Sequence, residues 1–192
     1  MRNKFFPIIT FAVIIVNLET LVYAQNLDAI KAPAAMRSGR ATSGNPYNNS
    51  DAWHFKPGET RQLARLTGPG EIRHMWFTAF SENIRHPRAF VLRIYWDGSN
   101  VPSVETPLGD FFGAGNGMQA EINSVPVNVK SFGRGYNCYW VMPFAKEARI
   151  TLSNESDEFE AGSHFMIDWV QYNKIPEAGI LYFHARYHQD YK

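Results

Sequence analysis

Residues 89–96 read Ala-Phe-Val-Leu-Arg-Ile-Tyr-Trp and run directly into Asp97-Gly98. Every second position in this stretch carries a large apolar side chain: Phe90, Leu92, Ile94 and Trp96. Successive side chains of a strand point to opposite faces of a sheet, and Asp-Gly is a strong turn signal. The stretch therefore predicts a β-strand that buries one face and ends in a turn.

Similar short apolar runs follow one another along most of the chain, separated by turn signals. The further strand candidates are TRQLARL (60–66), EIRHMWFTAF (71–80), VPVNVKSF (125–132), EARITLSN (147–154), SHFMIDWVQYNKI (163–175) and ILYFHARY (180–187). No long segment carries a convincing helical period. Short strands at regular spacing, with many aromatic residues, predict an all-β fold, either an antiparallel sandwich or a barrel.

The N-terminal end of the chain predicts export. Residues 1–24 combine a charged start, an apolar run and Val22-Tyr23-Ala24, the pattern of a secretory signal peptide cleaved after Ala24. A membrane anchor is the alternative, but a proline and two polar residues break the run below the ~20 residues that a spanning helix needs. Cleavage predicts a secreted or periplasmic protein with an irregular N-terminal arm at 25–57 and one folded domain at 58–192.

The charge of the mature chain argues against polyanionic partners. Cleavage would remove two of the 19 Lys and Arg residues and one of the 18 Asp and Glu residues, which leaves equal numbers of each sign. A chain without net charge has no long-range field to gather phosphates, so we expect neither nucleic acid nor an anionic membrane surface as a partner. Cys138 is the only cysteine, so we expect a buried small side chain rather than a disulfide.

Patterns typical of metal, phosphate or acyl-transfer chemistry are weak in this sequence. His184 and His188 are four residues apart, but they fall in a strand candidate and lack the Glu of a zinc-protease helix. The stretch Gly-Ala-Gly-Asn-Gly (113–117) lacks the Lys-Ser/Thr that completes a phosphate-binding loop. There is no Gly-x-Ser-x-Gly motif around a serine nucleophile. We therefore expect no metal ion and no cofactor.

The stretch Glu-Thr-Pro-Leu-Gly-Asp-Phe-Phe-Gly-Ala-Gly-Asn-Gly (105–117) crowds two carboxylates, a proline, two phenylalanines and four glycines into thirteen residues. This composition predicts a loop that carries polar groups beside aromatic surface. Other acids, Asp51 and Asp97, also lie close in sequence to tryptophans. Sugar sites combine such groups, because aromatic faces cover the apolar side of a ring and carboxylates hold its hydroxyls. As a set, these residues suggest carbohydrate binding, although each acid alone could be a turn cap or a solvated charge.

Five longer stretches, taken in order, resemble one known family. They are SGRATSGNPYNNSDAWHFKPGET, LTGPGEIRHMWFTAF, LRIYWDGSNVPSVETPLGDFFGAG, YWVMPFAKEARITLSNES and MIDWVQYNKIPEAGILYFHARYH. Together they are similar to the N-terminal half of glycoside hydrolase family 172, formerly the domain of unknown function numbered 2961. The resemblance runs from Met36 to Tyr187. The Trp-Asp-Gly, Pro-Leu-Gly-Asp-Phe-Phe-Gly and Met-Pro-Phe motifs make it specific.

The resemblance implies a jelly-roll β-sandwich. Members of the family look like two jelly rolls in tandem, form trimers or multiples of trimers, and cleave fructofuranosides and arabinofuranosides with retention at a pocket between subunits. Retention requires two carboxyl groups about 5 Å apart. The family's catalytic glutamates belong to Trp-Gly-Glu-Gly-Asp and Gly-Thr-x-Glu-Asp-Tyr type motifs of the second half, and neither occurs here. The resemblance thus predicts a half that is inactive alone and partnered by a separate or downstream second jelly roll.

The resemblance and the composition together suggest site residues. We expect Pro-Leu-Gly-Asp-Phe-Phe-Gly to form a pocket rim or an inter-subunit loop, with Asp110 accepting hydrogen bonds and Phe111 or Phe112 packing against a sugar or a neighbouring subunit. In the arm, substrate contacts are expected from Asn45, Asn49, Asp51 and Trp53. Glu105 and Asp110 are the only weak candidates for a catalytic pair.

Three functions remain open from the sequence. The first is the inactive half of a furanoside hydrolase. The second is a carbohydrate-binding module without hydrolysis. The third is a structural domain that assembles into trimers, since a jelly roll can associate edge to edge without any ligand.

Overall fold

A computed structural model describes residues 36–175 and 179–190, and strands dominate these residues. The larger sheet contains, in spatial order, β1 (Met36–Thr42), β14 (Phe165–Tyr172), β4 (Gly70–Thr78), β10 (Gly135–Cys138), β9 (Val127–Lys130) and β8 (Ile122–Asn123), and β11 (Met142–Phe144) also pairs with β4. The smaller sheet contains β15 (Ala185–Arg186), β7 (Val104–Pro107), β6 (Phe90–Trp96), β12 (Glu147–Asn154) and β3 (Thr60–Thr67). A third sheet joins β2 (Trp53–Phe55), β13 (Ala161–Ser163) and β5 (Phe80–Ser81).

The order of the main strands is that of a jelly roll. Eight strands form the body of the sandwich: β1, β3, β4, β6, β7, β10, β12 and β14. Numbered one to eight along the chain, they lie in the order one-eight-three-six in the larger sheet and two-seven-four-five in the smaller one. Nearly every connection therefore crosses from one sheet to the other, as in two Greek keys wrapped into a double sheet. This confirms the predicted all-β, jelly-roll β-sandwich.

The core lies between the two main sheets and follows the alternation of the sequence. In β6, the apolar residues Phe90, Leu92 and Ile94 are fully buried. Met75 and Phe77 of β4 and Phe165 and Ile167 of β14 enter the same core from the larger sheet. The residues between them in β4 and β14 consequently point away from the core, to the outer face of the larger sheet.

The N-terminal segment differs from the prediction. Of the arm expected at 25–57, the described part contains β1 and β2, and β1 is the first strand of the jelly roll. Its sequence, MRSGRAT, has no apolar alternation, because most of its side chains are exposed. Seven pairs with β14, from Met36 with Tyr172 to Thr42 with Met166, hold it in place. Among the described residues of this arm, 43–52 and 56–57 keep the predicted irregular form.

Two further predictions about elements are corrected. Within ILYFHARY, only Ala185–Arg186 forms a strand, which pairs in parallel with β7 rather than antiparallel. A side-chain hydrogen bond, rather than longer strand pairing, holds the start of this segment. Trp96 Nε1 donates to the Phe183 carbonyl oxygen at 2.8 Å. The stretch around Asp110 is not a loop throughout, because Glu105 lies in β7 and Leu108–Phe111 form the short helix α2. A second short helix, α1 (His86–Ala89), lies beside it.

The predicted signal peptide lies outside the described residues, so its prediction stays untested. Contacts group Ala34–Lys192 into one compact unit. Within the part of the chain that the structure describes, no helix has the length and apolar character needed to span a membrane.

Candidate functional site

The outer face of the larger sheet carries an unusual mixture of aromatic and polar side chains. We call outer strip the outward-pointing residues of β4, β5 and β14, together with His164, which directly precedes β14. They are His74, Trp76, Thr78, Phe80, His164, Met166 and Asp168. Register places Trp76 opposite Met166 and His74 opposite Asp168. The solvent-facing side of a sheet normally carries charged and polar side chains. The half-buried aromatic side chains of this face therefore need a separate explanation.

A polar network occupies one end of the outer strip. Arg40 of β1 donates from Nε to Asp168 Oδ1 at 2.5 Å and from Nη2 to Asp168 Oδ2 at 3.0 Å. His74 Nδ1 lies 3.1 Å from Asp168 Oδ2, and its Nε2 lies 3.2 Å from Asn137 Oδ1. The His74 ring stacks on Tyr139 at 4.8 Å between centroids. The hydrogen bonds from Arg40 hold the pKa of Asp168 below its usual value.

An aromatic cluster occupies the other end of the outer strip. The far edge of the Phe80 ring lies over Gly162, its partner in β13, and the ring remains 39% exposed. His54 and His164 each lie 5.8 Å from this ring between centroids. His164 is fixed in turn by Thr78, whose Oγ1 lies 2.8 Å from His164 Nδ1.

Surface hollows lie at both ends of the outer strip. One, of about 510 Å³, is lined by Phe80, Gly162 and His54 together with acidic residues that include Glu82 and Glu160. The other, of about 490 Å³, is lined by residues of β1, β4 and β14 that include Arg40, Arg73, Asp168 and Trp169. Both volumes are within the range of small-molecule sites.

The arm residues predicted from the sequence lie beside the outer strip. Asp51 Oδ1 is 3.4 Å from His164 Nε2, so this carboxylate touches the strip directly. Asn45 and Asn49 lie in an exposed turn closed by the bridge between Asn45 and Ser50. Ser43, just before this turn, accepts the Phe165 backbone N–H at 3.0 Å and anchors the turn to β14.

Trp53 lies deeper than a sugar-stacking residue would. Its ring packs edge-on against the buried Phe165 ring at 5.1 Å, and the Arg61 guanidinium covers it at 4.1 Å. Because Arg61 covers one face of the indole and the ring packs edge-on against Phe165, we do not include Trp53 in the candidate site.

Glu105 and Asp110 lie in a different part of the molecule, at the edge of the smaller sheet. Arg93 donates from Nε to Glu105 at 2.7 Å and from Nη2 to Glu155 at 2.6 Å. Arg88 Nε lies 3.5 Å from Asp110 Oδ2, an ion contact without a hydrogen bond between these two buried atoms. A glycoside hydrolase needs a carboxyl group that stays protonated beside a second, free carboxylate. Glu105, which is hydrogen-bonded to Arg93, has instead the contacts of a structural ion pair, and the Asp110 carboxylate faces Arg88.

The two phenylalanines of this region are core residues, which corrects the predicted rim. Phe112 is fully buried and Phe111 is 4% exposed. Phe112 packs against Phe77 and Tyr136, while Phe111 packs against Trp140 and Phe183. Neither ring has a free face for a sugar. Composition alone could not predict this burial, because an aromatic residue beside glycines occurs in buried turns as well as in exposed loops.

A known family matches most of this chain. The family model described as GH172 domain-like covers residues 45–166, well over half of the sequence. The chain belongs to the GH172 domain-like family. No curated protein sequence matches it significantly. The GH172 match spans the arm turn, β4 and the other body strands except β1 and most of β14, so every residue of the outer strip except Asp168 lies within it.

Sequence reasoning overlooked most of the outer strip. His74, Trp76 and Thr78 stand in a recognised strand candidate, but the alternation drew attention to the inward residues on the same strand. The available signal was the reverse pattern, in which the outward positions of β4 carry an aromatic residue and an imidazole instead of Lys or Glu. Among the described residues, no cluster of three or more His, Cys, Asp or Glu side chains could hold a metal ion.

Proposed function

We propose that this GH172 domain-like chain is an exported carbohydrate-binding jelly roll that recognises furanoside-containing glycans and does not cleave them by itself. The outer strip carries the proposal. Its aromatic rings can cover the apolar face of a sugar. The Asp168 carboxylate and the Asn137 side-chain oxygen, which already bond Arg40 and His74, have further lone pairs that can accept hydrogen bonds from its hydroxyls. The family gives the glycoside context, and the furanoside class comes from the resemblance of the sequence.

The lack of hydrolysis is proposed from two observations. Neither glutamate motif of the family's catalytic half occurs in the sequence. The two candidate carboxylates, Glu105 and Asp110, are each engaged by an arginine. On this proposal the catalytic glutamates come from a second jelly roll, on the same or on another chain.

Isothermal titration with fructofuranosyl and arabinofuranosyl oligosaccharides tests this function. We expect saturable binding that Trp76→Ala weakens at least tenfold, because one stacking platform is lost. Maltooligosaccharides serve as the pyranose control. Release of reducing sugar by the purified chain, abolished in Asp110→Asn, would contradict the non-catalytic assignment.

A trimer-assembly role is the second candidate, and one observation favours it. At the β9–β10 turn, Phe132 is 80% exposed and adopts φ 58°, a left-handed conformation that a bulky residue rarely takes. Such a side chain suits insertion into a neighbouring copy. A trimer by light scattering that Phe132→Ser converts to monomer, without any sugar binding, would favour assembly over recognition.

A further inference from the structure

We propose that the outer strip binds an internal stretch of an extended, uncharged glycan of at least three sugar residues, with Trp76 and Phe80 as two separate stacking platforms. The inference rests on the proposed function, since it specifies the ligand of the same surface. It concerns the length, charge and path of that ligand.

The spacing of the two platforms requires a chain rather than one sugar. Trp76 and Phe80 are four residues apart on the outward side of β4 and β5. At the rise of an extended strand, four residues span about 13 Å. One sugar ring is similar in size to one phenyl ring, so it can cover only one platform. Thr78 and His164 lie between them, and their hydrogen bond to each other places polar groups beside the position of an intervening sugar.

The two hollows indicate that the bound chain continues in both directions. Gly162 lines the hollow at the Phe80 end, and Asp168 lines the hollow at the opposite end. Six residues of extended chain separate them along β13 and β14, which is about 20 Å. A site that binds the end of a glycan is closed by protein on one side. The outer strip instead opens into a hollow at each of its two ends.

Charge selects against acidic sugars. The hollow beside Phe80 is lined by Glu82, Glu158 and Glu160, which would repel a uronate. At the other end, Arg40 is already paired with Asp168 and Arg73 with Glu71. The surface therefore suits a neutral glycan.

The position of the Phe80 ring has a competing explanation. An aromatic ring that covers a cross-strand glycine can have a purely structural role, which is to shield the sheet. Trp169 covers Gly39 in the same way. A Cβ at residue 162 would overlap the Phe80 ring, so Gly162→Ala displaces the platform without removing it. Since the ring is exposed, both Gly162→Ala and Phe80→Ala should fold, which melting curves will verify.

The test is a titration of the full chain with neutral furanosyl oligosaccharides of two to six residues. We expect affinity to rise about tenfold or more between two and four residues and then level off. Phe80→Ala and Gly162→Ala should each remove most of this gain while leaving disaccharide affinity nearly unchanged. Val125→Ala, which removes part of an apolar side chain that is 95% exposed elsewhere, should have no effect.

The possible failures are distinguishable. A disaccharide that binds as tightly as a hexasaccharide, or a Phe80→Ala variant with the full gain, would overturn the extended-chain inference and leave sugar binding intact. Tighter binding of an oligogalacturonide than of the neutral series would overturn the charge selection. Absence of binding at every length would instead refute the proposed function itself.

Discussion

Cys138 is fully buried in β10, and burial raises the pKa of its thiol to about 12. Thiol reagents attack the thiolate, so the folded protein should resist labelling at pH 8, and guanidinium chloride should release one reactive thiol. Time-resolved labelling with a disulfide reagent measures this, with Cys138→Ala as the blank. Labelling of the native protein at the rate of a free cysteine would show that β10 opens readily.

Asp97 anchors the turn after β6. Burial alone would raise the pKa of Asp97, but hydrogen bonds from the Tyr182 hydroxyl and from the backbone N–H groups of residues 145–147 outweigh it and lower the pKa. Residue 97 also has φ 55°, which Asn tolerates better than Ala. We expect Asp97→Asn to reduce the free energy of unfolding by about 1 kcal/mol and Asp97→Ala by about 2 kcal/mol or more. Chemical denaturation measures both, and equal losses would argue against a backbone contribution.

The Arg40–Asp168 pair predicts a pH dependence of stability. The pKa of Asp168 is lowered in the folded state, chiefly by the hydrogen bond from Arg40. Its stabilisation is therefore complete above the unfolded pKa, about 3.9, and is lost as the pH falls through the lower folded value. In Asp168→Asn, the melting temperature should fall less steeply below about pH 4 than in the unmodified protein. Asp157→Asn, at an exposed site, should leave this fall unchanged. Identical acid profiles for the two variants would contradict this account.

At the scale of elements, the β9–β10 turn depends on its glycine. Gly133 has φ 80°, and a Cβ there would come within 2.5 Å of the Ala120 backbone nitrogen. Gly58 has φ 72° but open space around it. Both Gly→Ala variants carry the left-handed backbone cost of about 1 kcal/mol, and only Gly133→Ala adds a clash with backbone. Denaturation should therefore show a loss at least 1 kcal/mol larger for Gly133→Ala, and equal losses would indicate that the turn can move.

The strands show which elements a local pattern can predict. β6 and β12 match their sequence runs closely, because apolar alternation is a direct record of one buried face. β1 has no apolar alternation, because its strand conformation depends on pairing with the edge of β14. The run ILYFHARY alternates without becoming a long strand, because β7 offers it only two pairing positions.

At the scale of the whole molecule, the interior between the sheets should dominate stability. Ile94 is fully buried, whereas Val101 is 62% exposed. Ile94→Ala should lower the free energy of unfolding by about 2–5 kcal/mol through lost burial and a cavity. Val101→Ala should change it by about 0.5 kcal/mol or less. Equilibrium unfolding in urea provides the values, and a small loss at Ile94 would mean that the core relaxes around the gap.

The sequence by itself determined the all-β class, the inward faces of the long strands, the buried Cys138 and the family. These properties are local or depend on a linear order of motifs, so a single chain displays them. It also pointed to Asp51, which lies beside the outer strip.

Only the tertiary structure decided where the candidate site lies. The outer strip exists because antiparallel register sets His74 opposite Asp168 and Asp168 opposite Arg40, residues separated by about a hundred positions or more in the chain. The same packing directed Phe111 and Phe112 inward and paired Glu105 and Asp110 with arginines. Composition cannot distinguish these outcomes, because the face that a side chain takes depends on which strand pairs beside it.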